Sequence, residues 1–213
     1  MKAIAINGSP RKTWNTATLL NKALEGAAAH GAETEIVHLY DLNFKGCVSC
    51  FACKTRGGKS YGKCGHKDEL TPILENIASA DILLIGSPIY FGTVTGELRS
   101  FLERLLFPYG TYTDPPQNLF PGKIKSALIY TMNVKEEQAK EMGYFQHLGN
   151  NERVLQLRFG SAETLYSFDT WQFDDYSKVV ADRFDPVLKA KRRQEVFPVD
   201  CQNAFELGAR LAG

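Results

Sequence analysis

Two stretches of this sequence hold residue types that can do chemistry. Residues 46–64, "GCVSCFACKTRGGKSYGKC", gather four of the five cysteines, Cys47, Cys50, Cys53 and Cys64. Residues 7–20, "NGSPRKTWNTATLL", place Ser9, Arg11, Lys12, Thr13, Asn15 and Thr16 within eight positions. Thiols at C-x2-C-x2-C spacing can cap one face of a cubane iron–sulfur cluster, with a fourth arriving from elsewhere. They can equally act as a redox pair. The second stretch joins an apolar run directly to a helical pattern, so the free N–H groups of the coming helix point at whatever sits in the turn. An oxyanion such as a phosphate monoester suits that place. An ordinary N-cap at Asn15 or Thr16 would explain one of these residues but not six. Neither G-x-x-x-x-G-K-[ST] nor G-x-G-x-x-G is present, which removes the triphosphate and dinucleotide loops.

These residues need elements to position them. The 213-residue chain is 44% hydrophobic and 23% charged, as expected of a globular chain with one substantial core. A net charge of +1 offers no attraction to nucleic acid or to an acidic membrane surface. "MKAIAINGSP" is too short for a signal-peptide apolar region and no later run approaches a membrane span. A cytoplasmic protein is expected, and there clustered cysteines suggest metal or redox chemistry over structural disulfides. Apolar runs at 2–7, 81–91 and 125–132, an alternating stretch at 32–40 and a last segment at 162–170 read as strands. Helical patterns fall at 16–30, 68–80, 95–106 and 135–157, and again from about Asp174 in at least two pieces. The alternation predicts an α/β fold with a five-stranded parallel sheet in the doubly wound, flavodoxin-like order 2-1-3-4-5. One domain over 1–213 is expected, with a helical C-terminal extension over about 170–213. Ligands of such sheets bind beyond the carboxyl ends of the strands, at the switch between the first and third.

The segments after the first, third and fourth strands fit that rule. After the third comes "SPIYFGTVTG", residues 87–96, with two aromatics and two glycines at a strand end. Pro88, Ile89, Tyr90, Phe91 and Gly92 are candidates to lie along a flat ring, although Tyr90 and Phe91 are also plausible core residues. Thr131 and Asn133 stand where a third loop would approach the ring. A hydroxyl-rich phosphate segment on a sheet of this order points to FMN. "GSPRKTWNTATLL" with "SPIYFGTVTGELRSFLERL" resembles the NADPH-dependent FMN reductase family, in the branch that includes the iron–sulfur flavoproteins. The resemblance covers roughly residues 1–133. It implies bound FMN, NADPH or NADH as co-substrate, and residues matching Pro88 to Phe91 lining the flavin. It also implies a homodimer or homotetramer. Trp14 departs from the family, whose members usually carry a small residue there.

Hydride passes from nicotinamide to flavin when the rings stack, so no acid–base dyad is required and no catalytic residue is assigned. The four histidines are scattered and read as surface or helix-end residues. The expected function is an FMN-dependent NAD(P)H oxidoreductase that passes electrons to a quinone, free flavin, nitroaromatic, metal ion or redox protein. Rivals are an iron–sulfur flavoprotein with a [4Fe–4S] cluster at Cys47, Cys50, Cys53 and Cys64, a flavodoxin-like carrier, and a non-redox module. For the cysteines four readings compete: the cluster, zinc, redox thiols, or small buried side chains beneath a mobile basic flap. No metal site is assigned, because the ten residues between Cys53 and Cys64 exceed the gap in the family's cluster motif. Placed after the second strand, the loop is expected beside the flavin segments. "FPYGTYTDPPQNLFPG", residues 107–122, is a candidate lid, interface or exposed connection.

Overall fold

The computed structural model describes residues 1–213. Five parallel strands form the sheet: β1 (Lys2–Asn7), β2 (Glu33–His38), β3 (Ile82–Tyr90), β4 (Ile124–Thr131) and β5 (Gly160–Ser167). Their order is β2-β1-β3-β4-β5, the flavodoxin-like order expected. Helices α1 (Asn15–Ala29), α2 (Leu70–Ile77), α3 (Gly96–Leu106), α4 (Glu136–Glu141), α5 (Tyr144–Phe159), α6 (Pro186–Glu195) and α7 (Phe197–Ala212) complete the chain.

Strand side chains alternate between two cores, as the pleat demands. Ile4, Ile6, Leu83, Ile85, Leu128 and Tyr130 face one side, packed with residues of α2, α3 and α5. Ala3, Ala5, Ile82, Leu84, Ala127 and Ile129 face the other, beneath α1 and α7. The helices α1 and α7 approach closely because Gly26 and Gly208 stand at their crossing. A Cβ on Gly26 would fall 1.9 Å from the Phe205 carbonyl oxygen, and one on Gly208 would fall 1.7 Å from that of Ala23.

Several boundaries differ from the sequence reading. The pattern at 135–157 is two helices, since Gly143 takes φ +73 between α4 and α5. The C-terminal helices begin at Pro186, not near Asp174; the chain before them is a loop with one short turn at Tyr176–Lys178. Pro72 does fall in the first turn of α2, where it leaves no helical acceptor unfilled. The base of segment 107–122 is anchored to the core: Tyr109 lies 4.9 Å from Phe120, and Phe120 4.8 Å from Phe159, ring centre to ring centre. No helix is long and apolar enough to cross a membrane.

Candidate functional site

The parallel register sets Asn7 beside Gly86, and the next residue, Gly8, donates its N–H to the Gly86 carbonyl at 2.8 Å. Asn7 then turns the chain, its Oδ1 accepting from Ser9 N at 3.0 Å. Its Nδ2 donates to His38 Nδ1 at 2.9 Å, so His38 is half-buried and engaged where a surface residue was expected. The N-cap of α1 is Trp14, not Asn15 or Thr16, and it makes no side-chain capping bond. The first helical bond runs from Thr18 N to Trp14 O. The N–H groups of Asn15, Thr16 and Ala17 therefore find no acceptor within the chain. An uncapped helix start with three free donors is a cradle for an anion.

Three bonds bring the other predicted segments to this cradle. Thr95, the N-cap of α3, donates from Oγ1 to the Gly8 carbonyl at 2.7 Å, and Ser87 Oγ accepts from Thr95 N at 3.1 Å. Buried Thr16 and Thr131 join Oγ1 to Oγ1 at 2.7 Å, tying the end of β4 to the first turn of α1. Between these ties β3 continues into a hairpin, with Ile89 opposite Val94 and Tyr90 opposite Thr93. Its two-residue tip is Phe91-Gly92, at φ +51 and +77. Two positive φ values match the right-handed twist of a hairpin, but at a non-glycine residue such as Phe91 they cost energy. Tyr90 and Phe91 are exposed, Phe91 completely, so neither is a core residue. Pro88 and Ile89 are half-buried and Gly92 is buried.

Other predicted side chains meet protein partners. Lys12 pairs with Asp41 at 2.5 Å, while Thr13 is exposed. Arg11 stacks its guanidinium 3.7 Å above the Trp14 ring. Arg11, Trp14 and Asn15 all donate to carbonyls of Trp171 or Gln172, and Asn133 donates to Gln172 Oε1 at 2.8 Å. The segment Asp169–Phe173 thus straps the site. No pattern marked these residues in the sequence, because the strap has no periodicity and its contacts span some 160 positions. Lys189 of α6 bonds to Asp169 and Asn133, and Arg193 to Asn15 Oδ1. Burial pulls the Lys189 amine and the Arg193 guanidinium below their ordinary values, and Asp169 offsets part of that for Lys189.

The cysteine loop packs along α3. It leaves β2 at the end of the sheet that carries the cradle, then runs along α3 to its far turn. Cys47, Cys50, Cys53 and Cys64 all line one small cavity, with Glu103, Arg104, Phe107 and Pro108. Those last residues follow the N-terminus of α3 by two turns or more, about 10 Å along the axis. The ten-residue gap does not hold Cys64 away from the triplet. Turns at 55–58 and 58–61 double the insert back, and Gly62 N donates to the Cys53 carbonyl at 3.1 Å. Arg104, only 2% exposed, closes the loop: it donates to Cys64 Sγ at 3.3 Å, Lys45 O at 3.1 Å, His66 O at 2.9 Å and the Asp68 carboxylate. Burial alone would raise Asp68, but the Arg104 hydrogen bond and charge win and hold it below the usual carboxylate range. Burial pushes the Cys53 thiol up. The four clustered thiols are free, and no three metal-ligating side chains stand close enough to hold a single ion.

Set against known proteins, residues 1–159 match the family profile of the NADPH-dependent FMN reductases. The chain belongs to that family. As a family member it shares 39% identity over 104 residues with an iron–sulfur flavoprotein of Methanocaldococcus jannaschii, 49% of this chain and 51% of the relative. An iron–sulfur flavoprotein of Archaeoglobus fulgidus is 42% identical over 104 residues, 49% and 48% of the two chains. The chain spans about half the length of the curated relatives it matches. Among solved structures, the NAD(P)H:quinone oxidoreductase from Methanothermobacter marburgensis superposes with TM-score 0.71 at 16% identity, covering 99% of this chain and 98% of that one. An FMN-dependent NADH-azoreductase from Bacillus anthracis, solved with FMN, gives 0.66 at 14% identity with full coverage of both. At such identities these two establish the fold. The family is described by NADPH-dependent reduction of FMN.

Proposed function

We propose that the chain holds FMN between the α1 cradle, the Tyr90–Thr93 hairpin and the end of β4, and oxidises NADH or NADPH at the expense of a small acceptor. The observation that carries this reading is the uncapped start of α1. Three free N–H donors stand there, joined by single hydrogen bonds to both other segments the site requires. When bound, FMN supplies the hydride-accepting and electron-passing chemistry. The chain's own part is to bind and orient. The main chain of Asn15–Ala17 would receive the phosphate, with Ser9 and Thr13 at its edge. Pro88 to Gly92 would lie along the ring, with exposed Tyr90 and Phe91 framing it. The bond between Thr16 and Thr131 would fix the spacing between phosphate and ring, and the hydroxyl that accepts in it keeps one O–H to offer the cofactor. The acceptor would be a quinone, free flavin, nitroaromatic, metal ion or redox protein, and the bare Phe91 ring suits contact with a second copy of the chain. Absorption by the purified protein tests the first step: two resolved visible bands are expected, and a colourless protein that gains none with added FMN sinks the reading. Rapid NAD(P)H oxidation with a quinone is expected in turn, and its absence leaves a carrier.

Two observations favour a second reading. The four clustered cysteines line a common cavity, and the relatives above are named iron–sulfur flavoproteins. The donor set of four thiols fits a [4Fe–4S] cluster. Iron and acid-labile sulfide measured on anaerobically purified protein decide it; protein free of both removes the cluster.

A further inference from the structure

The strap and α6 lie beyond residue 159, where the family match ends, yet they hold the phosphate segment. We propose that Arg193 and Lys189 are positioning residues for the cofactor phosphate: Arg193 fixes the Asn15 amide, and Lys189 locks the strap that Arg11, Trp14 and Asn15 grip. The inference rests on the FMN reading above.

Both ends of the Asn15 amide are engaged. Its Nδ2 donates to the Trp171 carbonyl at 2.7 Å, and its Oδ1 accepts from Arg193 Nη1 at 2.9 Å. The side chain cannot turn into the cradle, so the N–H groups of the first helical turn stay open. Two further donors, Arg11 Nη1 at 2.6 Å to Gln172 O and Trp14 Nε1 at 3.1 Å to Trp171 O, bind the strap to the same turn. The strap in its turn is fixed from below. Asp169 takes φ +50, a left-handed conformation that a non-glycine residue adopts only when held. Its N–H donates to Val134 O at 2.9 Å and its carboxylate accepts from Lys189. Lys189 is 4% exposed and also reaches Asn133 and, at 3.4 Å, Thr170 O. A buried cation with three acceptors is expensive to assemble, and here it joins the strap to the end of β4. Arg193 adds a positive charge behind the anion cradle, its planar face over the Phe197 ring at 4.0 Å.

The test compares FMN with riboflavin, which lacks the phosphate. The Arg193→Met variant leaves only a neutral amide without its partner, and Lys189→Met combined with Asp169→Asn removes both charges of the buried pair together. Flavin-free protein is titrated with each flavin and fluorescence quenching is followed. For both variants the FMN Kd is expected to rise by about tenfold or more, the worth of a charge-assisted bond, while the riboflavin Kd stays put. Arg193→Lys should recover part of the loss. Equal weakening toward both flavins would show a merely structural role and overturn the proposal, as would an unchanged FMN Kd. Should either variant fail to fold, Trp14→Phe, which removes one donor to the strap, is expected to give the same phosphate-selective loss on a smaller scale. Wild-type protein that binds neither flavin overturns the FMN reading itself, a result separate from failure of the variants alone.

Discussion

The anion cradle and the cysteine loop leave the same end of the same sheet, but they are held in opposite ways. Between β1 and α1 lie only residues 8–14, and the neighbouring strand fixes the exit through Gly8 and Gly86. Its functional groups are main-chain N–H donors, which exist because a helix begins there. Between β2 and α2 lie residues 39–69, with two short turns and no strand or α-helix. Local turns bring Cys64 back toward Cys53, but nothing local docks the loop on α3. Two buried or half-buried cations from or toward α3 do so: Arg104 closes the loop's two ends, and Lys54 donates to the Phe107, Pro108 and Gly110 carbonyls. Closing a long loop costs little more entropy than closing a short one. A few well-placed clamps therefore suffice, and a motif's spacing is a weaker guide than it looks.

If the comparison is right, removing one side chain should disorder the cysteine loop, while no single side chain should do so at the cradle. The largest effect is expected for Arg104→Met, which strands the Asp68 carboxylate and cuts both ends of the loop loose, at about 3–5 kcal/mol. Urea unfolding gives the cost, and mass spectrometry should show Cys53 alkylated much faster. A loss below about 1 kcal/mol would mean that Arg104 is no clamp. Lys54→Met should cost less, about 2 kcal/mol, and also speed alkylation; unchanged thiol protection would confine closure to Arg104. Gly92→Ala probes the hairpin at the other site. The new methyl must sit at φ +77 and meet Tyr144 Cε1 at 3.0 Å, for a cost of about 1–2 kcal/mol. Flavin affinity should fall while the cysteines stay protected, and a rise in their alkylation would show that the two regions are coupled.

Acid provides the gentlest discriminator. Asp68 titrates below its unfolded value, so its contribution is full above about pH 4 and is lost as pH falls through the lower folded value. The Tm difference between wild type and Asp68→Asn should hold from neutrality to about pH 4 and close below it. Closure already near neutral pH would show that the Arg104 pairing does not set this titration.

Much of this was legible in the chain itself. The three central strands announced themselves as apolar runs, and the alternation of strands with helices pointed to the order 2-1-3-4-5 as the commonest match. "GSPRKTWNT" and "SPIYFG" marked two segments that the structure brings together, because each sits at a strand end, where backbone geometry is local. The break at Gly143 and the late start of α6 were not visible, since Gly in a helical pattern is ambiguous and residues 174–185 have no competing signal. The roles of individual side chains were hidden more deeply. Thr131 and Asn133 looked free to meet a ring, and Arg11 and Asn15 a phosphate, yet all four are occupied by partners far away in sequence.

Sequence alone thus determined what depends on near neighbours: the five strands, most of the helices, and a polar segment at the start of α1 suited to an anion. Only the tertiary structure decided which groups remain free there, through the strap and α6, and that four cysteines share one cavity beside α3. The reason is one of range. Periodicity and capping are written within a few residues, whereas a buried Arg104 or Lys189 finds its partners only after the sheet has brought distant segments together.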